Sequence, residues 1–212
     1  MKEIKNIIFD FGGVVYDVRY ENMAEELARR GVADAEKFYG RDHQTREMDL
    51  FEMGLMSVGE FRDYVRRSTG MPFSDGDVDD VMNAMLIGLP EGRVELLRSL
   101  KGRYRCFLFS NTNAIHYDCF YRQMMEGYGY DVFEECFEAC YFSHTLHLRK
   151  PARDGFAYIL ERHGLRAEET LFIDDNAPNL AGAREMGMHT YHLRGDLLDI
   201  FDGDGGLCVE VE

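Results

Sequence analysis

Short apolar segments alternate with longer amphipathic segments over most of this chain. The segments that we interpret as strands are 4–9, 105–109, 139–142, 171–173 and 189–193. A run that is apolar at nearly every position, such as Ile4 to Phe9, is typical of a strand buried on both faces. Between the later strands, apolar residues recur with helical spacing. Strands that alternate with helices predict an α/β fold with a parallel sheet.

A different pattern fills residues 16–89, where no strand-like run is found. Ser57 and Glu60 have the spacing of a capping box and precede a helical apolar stripe, and Gly54 is expected to end the helix before it. The sequence therefore predicts a helical insertion at 16–89. Residues 1–15 and 90–212 are predicted to form the core.

The composition is that of an ordinary globular protein, with 45% hydrophobic and 30% charged residues. A chain of 212 residues is long enough for a core with a smaller insertion. The formal net charge of −15 would repel nucleic acid and anionic membrane surfaces, so neither is an expected partner. A phosphorylated ligand would need local cations.

Cysteine usage and hydropathy predict a cytoplasmic protein. Five cysteines cannot all pair within the chain. Cys136 and Cys140 could form one ligand pair of a zinc site, but the second ligand pair that such a site needs is missing. We therefore expect reduced thiols. No apolar run approaches the roughly 18 residues of a membrane span, and no signal-peptide pattern is present. The oligomeric state is not predicted.

Polar residues that could take part in catalysis or ligand binding lie where predicted strands end. Asp10 follows the first strand, Ser110 follows the second, and Asp174 and Asp175 follow the strand at 171–173. In an open parallel sheet, ligands bind at the carboxyl ends of the strands. If these strands are neighbours, carboxylates and a hydroxyl meet at one edge, as a phosphoryl-transfer site requires.

Asp10 is followed by two glycines that let the backbone approach a ligand closely. Its carboxylate could attack phosphorus, or it could only cap the next loop. A dinucleotide-binding turn is disfavoured because the three-glycine spacing is absent.

Asp174 and Asp175 repel each other unless a cation lies beside them. Their hard oxygen atoms suit Mg²⁺, and Asn179 could hold one of the carboxylates. The alternative is that one aspartate caps the following helix and the other is solvated.

Ser110 and Asn111 can bind phosphate oxygens without adding negative charge, although Thr112 or Asn113 could serve only as a helix cap. Lys150 precedes Pro151 and could neutralise both a nucleophile and a phosphate, or it could be a surface lysine.

Together these blocks resemble the haloacid dehalogenase superfamily over nearly the whole chain. They are Phe9-Asp10-Phe11-Gly12-Gly13, Ser110-Asn111, Lys150 and Asp174-Asp175. Within that superfamily, the sequences of these motifs are most similar to those of phosphatases that act on sugar phosphates such as α-D-glucose 1-phosphate. The resemblance implies a Rossmann-like core, with the insertion after the first strand serving as a cap.

The resemblance also implies the role of each matching residue. Asp10 would be the nucleophile and a Mg²⁺ ligand, with the Gly12 carbonyl, Asp174 and an outer-lying Asp175 completing the metal set. Ser110 and Asn111 would hold the phosphoryl group, and Lys150 would neutralise it.

Gly12 departs from the common superfamily pattern, in which a second aspartate protonates the leaving group. The absence of this second aspartate typically lowers the rate 10²–10⁴-fold unless another group substitutes for it. His116 and the cap residue His43 are candidates for that role. The polar cap residues that could select the substrate are Arg19, Tyr20, His43 and Arg46.

The leading hypothesis is a Mg²⁺-dependent phosphomonoester hydrolase that acts on a small phosphorylated metabolite through an aspartyl-phosphate. The alternatives are a phosphate-binding or regulatory protein with weak catalysis and a 2-haloacid dehalogenase, which would have no use for the paired aspartates. Phosphonate cleavage would need a cap lysine, and Lys37 has no special context.

Overall fold

A computed structural model describes residues 3–33, 35 and 45–212. Its strands are β1 (Asn6–Phe9), β2 (Asp17–Val18), β3 (Leu86–Gly88), β4 (Arg105–Ser110), β5 (Ala139–Phe142), β6 (Thr170–Asp174) and β7 (His189–His192). Its helices are α1 (Glu21–Arg29), α2 (Arg46–Glu52), α3 (Val58–Thr69), α4 (Asp75–Asn83), α5 (Glu91–Leu100), α6 (Ala114–Tyr128), α7 (Val132–Cys136), α8 (Ser143–Leu146), α9 (Arg153–His163) and α10 (Ala177–Glu185).

Five strands form one parallel sheet in the order β5-β4-β1-β6-β7. The parallel α/β architecture expected from the sequence is confirmed, and each predicted strand is present within two residues of its expected bounds. β1 lies between β4 and β6, with Phe9 opposite Leu108 on one side and Ile173 on the other. This register brings the ends of the three central strands to one edge.

The central strands bury both of their faces. Ile7 and Phe9 belong to one hydrophobic cluster, whereas Ile8 packs in another with Phe107 and Phe172. Successive side chains of a strand point to opposite faces, so one nearly continuous apolar run supplies both layers. Helices cover both faces, which explains the absence of hydrophobic–polar alternation in β1.

A third hydrophobic cluster contains residues from 23 to 85 together with Ile115 of α6. The capping box expected before α3 is present: Ser57 Oγ accepts from the Glu60 amide, and the Ser57 amide donates to Glu60 Oε2 at 2.9 Å. Gly54, two residues beyond α2, adopts a φ of 65°. Of the cap residues singled out above, His43 lies outside the described residues, as does Lys37.

The prediction that residues 16–89 contain no strand is wrong. β2 and β3 pair as a two-stranded antiparallel sheet at the two ends of this block. The Arg19 amide extends the contact by donating to the Met85 carbonyl at 2.9 Å. Strands of two and three residues are too short to show a periodicity, and their pairing depends on tertiary contact.

All five cysteines are free thiols. None of the described helices combines the length and the apolar character that crossing a bilayer requires.

Candidate active site

Asp10 and Asp174 lie side by side at the carboxyl edge of the sheet. Asp10 follows β1 directly, and its amide donates to the Ile173 carbonyl of β6 at 2.9 Å. Asp10 is 8% exposed and Asp174 is fully buried. One oxygen from each of these carboxylates and from Asp175 lies within 4.8 Å of the others. The neighbouring strands therefore assemble the predicted carboxylate cluster.

Lys150 compensates part of this negative charge. Its Nζ lies 2.6 Å from Asp10 Oδ1 and 2.8 Å from Asp174 Oδ2, and its side chain is 1% exposed. The ammonium also lies above the rings of Phe109 and Phe172, at 5.7 and 5.3 Å from their centroids. Burial alone would lower the pKa of Lys150, but the charges of Asp10 and Asp174 outweigh it and leave that pKa raised.

The pKa of Asp10 is raised from 3.8 to about 7. Burial is the main cause; Lys150 opposes it, whereas the charges of Asp174 and Asp175 reinforce it. Three carboxylates against one ammonium leave two uncompensated negative charges when all the acids are ionised. A divalent cation would balance this charge, and an all-oxygen donor set is the one that Mg²⁺ prefers. The residues therefore fit a magnesium ion.

Asp174 is held by two donors besides Lys150. Asn179 Nδ2 lies 3.1 Å from its Oδ2, and the Asn176 amide donates to its Oδ1 at 2.7 Å. The expected support of a ligand carboxylate by Asn179 is thus present. Such outer contacts fix the orientation of a metal ligand.

Asp175 packs directly against Gly13. A Cβ atom on Gly13 would lie 2.4 Å from Asp175 Oδ2, and Gly13 has a φ of 83°. Both the close approach and the left-handed backbone require glycine here. The His192 ring also lies 3.1 Å from the Asp175 carbonyl through Nε2. The second glycine of the first motif is therefore needed to admit the third carboxylate.

Gly12 is not sterically required. Its φ lies outside the left-handed region, and an added Cβ would make only an ordinary 3.5 Å contact with Val18. The backbone therefore accommodates a Cβ atom at this position, and crowding around that atom does not explain the glycine.

Ser110 ends β4 and is 3% exposed. The Asn111 side chain binds the backbone of Lys150 twice: Nδ2 donates to the carbonyl and Oδ1 accepts from the amide, each at 2.9 Å. The Asn111 side chain, expected to hold a phosphoryl group, is thus engaged in holding Lys150.

Ser143, which was not predicted from the sequence, also shapes this loop. Its Oγ accepts from the Thr112 amide and donates to the Thr112 carbonyl, both at 2.9 Å. Its position directly after a short strand was the only available signal. Asn113, not Thr112, caps α6 by accepting from the His116 amide at 3.0 Å.

The structure engages both ring nitrogens of His116, one candidate for the missing acid. Nδ1 lies 3.1 Å from Asn113 Nδ2, and Nε2 lies 3.0 Å from the Met82 carbonyl. Burial lowers the pKa of His116 to about 4, so the ring is neutral at pH 7. These contacts give His116 a structural role between α6 and α4.

The other described cap candidates lie at the surface or in partly buried positions. Arg19 is exposed and pairs with Glu25 at 2.9 Å. Arg46 begins α2 and is exposed, whereas Tyr20 is partly buried before α1.

Comparison with known proteins agrees with this arrangement. A family model for haloacid dehalogenase-like hydrolases matches residues 4–187. A D-ribitol-5-phosphate phosphatase of Bacteroides thetaiotaomicron is 27% identical over 188 residues, which cover 89% of this chain and 91% of that protein.

Solved structures are similar over the same length. A HAD family enzyme from Bacteroides thetaiotaomicron, a mutant in complex with magnesium and inorganic phosphate, has a TM-score of 0.81 and 31% identity, and the match covers 90% of this chain and 94% of that one. A HAD-like family hydrolase from Porphyromonas gingivalis has a TM-score of 0.79 and 31% identity, with coverage of 90% and 91%. The chain belongs to the haloacid dehalogenase-like hydrolase family.

Proposed function

We propose that this hydrolase is a Mg²⁺-dependent phosphatase that removes the phosphoryl group from a small phosphorylated metabolite. The observation that carries the proposal is the buried contact of Lys150 with both Asp10 and Asp174, at 2.6 and 2.8 Å, beside a third carboxylate. A relative of similar length that is named as a phosphatase and the phosphate-bound structure described above support the same reaction class.

Asp10, Asp174, Asp175 and the Gly12 carbonyl would hold the metal. When bound, Mg²⁺ supplies positive charge to the nucleophile and to the phosphate oxygens. The chain has a net charge of −15, so this local positive charge is what allows an anionic substrate to approach.

Asp10 is the proposed nucleophile. A carboxylate oxygen attacks phosphorus in line, the bond to the leaving oxygen breaks, and an aspartyl-phosphate forms. Water then attacks phosphorus and releases inorganic phosphate with the Asp10 carboxylate regenerated. Lys150 stabilises the charge of the nucleophile and of the transferred group, while Ser110 and backbone N–H groups of its loop bind phosphoryl oxygens.

Gly12 makes protonation of the leaving group the weak step. The described residues that surround Asp10 offer carboxylates and an ammonium engaged with one another, and His116 is bonded at both nitrogens. Water therefore protonates the leaving oxygen in this proposal, and we expect turnover on alkyl phosphates to be slow.

The substrate is proposed to be a sugar phosphate or a sugar-alcohol phosphate. The motif sequences resemble those of phosphatases that act on α-D-glucose 1-phosphate, and one relative is named as a D-ribitol-5-phosphate phosphatase. Residues 16–89 are proposed to form the cap that selects the substrate, over a core of 1–15 and 90–212. The free cysteines support a cytoplasmic, reducing location.

The test is hydrolysis of p-nitrophenyl phosphate and of a panel of sugar and polyol phosphates, with Mg²⁺ and with a chelator. We expect turnover with Mg²⁺, none with the chelator, and none in Asp10→Asn. Asp118→Asn, at an exposed position of α6, is the matched control. Tight phosphate binding without hydrolysis would instead favour the regulatory alternative. Halide release from a 2-haloacid in the chelator would favour a dehalogenase.

A further inference from the structure

Helix α2 rests on the segment that connects β5 to α9. The His147 Nδ1 atom lies 2.7 Å from the Met53 carbonyl oxygen, directly after α2. A Cβ atom on Gly54 would lie only 2.0 Å from the His144 carbonyl oxygen. The two backbones thus approach as closely as glycine permits. Such a close contact requires one particular position of α2 against this segment, which we call the seating of α2.

Arg149 holds this seating through charge. Its guanidinium donates to Asp49 Oδ1 through one nitrogen and lies 3.0 Å from Glu52 Oε2 through the other. The Arg149 side chain is 19% exposed and that of Glu52 is 15% exposed. The Nε atom of Arg149 is buried and makes no hydrogen bond to a described residue. The ion-pair partners of this arginine shown in the structure therefore both come from α2.

The residue that follows Arg149 is Lys150. The Lys150 backbone is fixed by the two hydrogen bonds to Asn111, and its ammonium reaches Asp10. Because Arg149 and Lys150 share a peptide bond, a displacement of the Arg149 backbone would also move the Lys150 amide that Asn111 holds. Misplacement of a reacting group by about 1 Å can cost roughly 10²-fold in rate.

We infer that Arg149 is a positioning residue that makes the placement of Lys150 depend on the seating of α2 against the core. The inference rests on the proposed phosphatase function and adds a coupling to it. With α2 seated, two carboxylates hold the arginine, and the lysine beside it points at the nucleophile. With α2 displaced, Arg149 loses both partners and the loop loses its outer support.

This role differs from substrate selection. Lys150 acts on the phosphoryl group, which every phosphomonoester shares. Loss of the Arg149 contacts should therefore lower kcat even for p-nitrophenyl phosphate. A residue that only recognised the leaving group would change KM for particular substrates.

The experiment compares Arg149→Met with Asp49→Ala/Glu52→Ala, which removes the same contacts from the α2 side and keeps the arginine. Arg153→Met is the matched control, because Arg153 is exposed and pairs with the exposed Glu185 at the surface. We expect kcat for p-nitrophenyl phosphate to fall about tenfold or more in the first two, with KM changed less than about threefold. Arg149→Lys should restore part of kcat. The control should match the wild type.

Hydrogen–deuterium exchange provides the second readout and does not depend on turnover. Exchange should rise in residues 143–150 and in 109–112 when Arg149 or its α2 partners are changed, with melting temperatures showing that the fold persists. Unchanged exchange at 109–112, unchanged kcat, or a loss confined to KM would overturn the inference. An inactive wild type would overturn the proposed function instead, and exchange alone would then decide the coupling.

Discussion

The ammonium nitrogen of Lys150 lies 2.6 Å from a carboxylate oxygen of Asp10, and both side chains are almost fully buried. The two residues are 140 positions apart in the chain. Removing one partner of a buried ion pair leaves an uncompensated charge, which typically costs about 3–5 kcal/mol. We therefore expect this contact to affect both the stability of the fold and the activity.

Lys150→Met should therefore lose activity by about 10²-fold or more, because the charge of the nucleophile and phosphate is no longer neutralised. The metal-free variant should also melt at a lower temperature than the wild type. Lys5→Met, which breaks an exposed pair with Glu169, is the control and should leave both quantities nearly unchanged. Steady-state kinetics and thermal melts measure the two effects. Full activity in Lys150→Met would contradict the assigned role.

The raised pKa of Asp10, about 7, predicts how pH acts on the metal-free protein. Because the folded-state pKa exceeds the ordinary value of 3.8, the native state holds an extra proton between these pH values. The stability contributed by this group is complete below about pH 4 and is lost as pH rises through about 7.

Mg²⁺ competes with that proton. The rise in melting temperature on adding Mg²⁺ should be larger at pH 8 than at pH 5.5 in the wild type. In Asp10→Asn this pH dependence should be much weaker. An equal Mg²⁺ response at the two pH values in the wild type would show that Asp10 is not part of the metal site.

Gly13→Ala should displace Asp175, because the new Cβ would lie 2.4 Å from its Oδ2. Gly102→Ala is a matched control: Gly102 also has a positive φ of 88°, but nothing lies within 4 Å of an added Cβ. Both variants pay the left-handed backbone cost of about 1 kcal/mol. Only Gly13→Ala should lose Mg²⁺ affinity and turnover, as measured by metal titration and kinetics. Similar losses in both would remove Asp175 from the account.

Gly12→Asp should supply the missing acid, since the added Cβ makes only an ordinary contact with Val18. We expect turnover of an alkyl phosphate to rise about tenfold or more, with a smaller gain for p-nitrophenyl phosphate, whose leaving group needs no proton. Gly12→Asn has the same shape without the proton and is the control. An equal gain in both variants would show that acid catalysis is not what Gly12 lacks.

The sequence predicts the parallel sheet and the edge where the site lies, because buried strands have a strong apolar signal and parallel strands end together. Asp10, Asp174 and Lys150 could thus be expected to meet before their contacts were seen. Ser110 also lies at the end of its strand, as the pattern predicts, and its role in the site stays a prediction.

Contacts made by short or distant pieces could not be predicted in this way. β2 and β3 are too short for a periodic signal. Ser143 and Arg149 are ordinary polar residues whose importance comes from what packs beside them. The Asn111 side chain turns towards the Lys150 backbone, a choice that local sequence does not encode.

The most direct test of the central claim is to trap the phosphoryl group on Asp10. The leaving group of p-nitrophenyl phosphate needs no proton, and Gly12 cannot activate the water of the second step, so with this substrate an aspartyl-phosphate should persist long enough to detect. Acid quench of the wild type with p-nitrophenyl phosphate radiolabelled in the phosphoryl group and Mg²⁺, followed by peptide mapping, should place the label on the peptide that contains Asp10. Turnover by the wild type with no label on that peptide, together with turnover retained in Asp10→Asn, would contradict it.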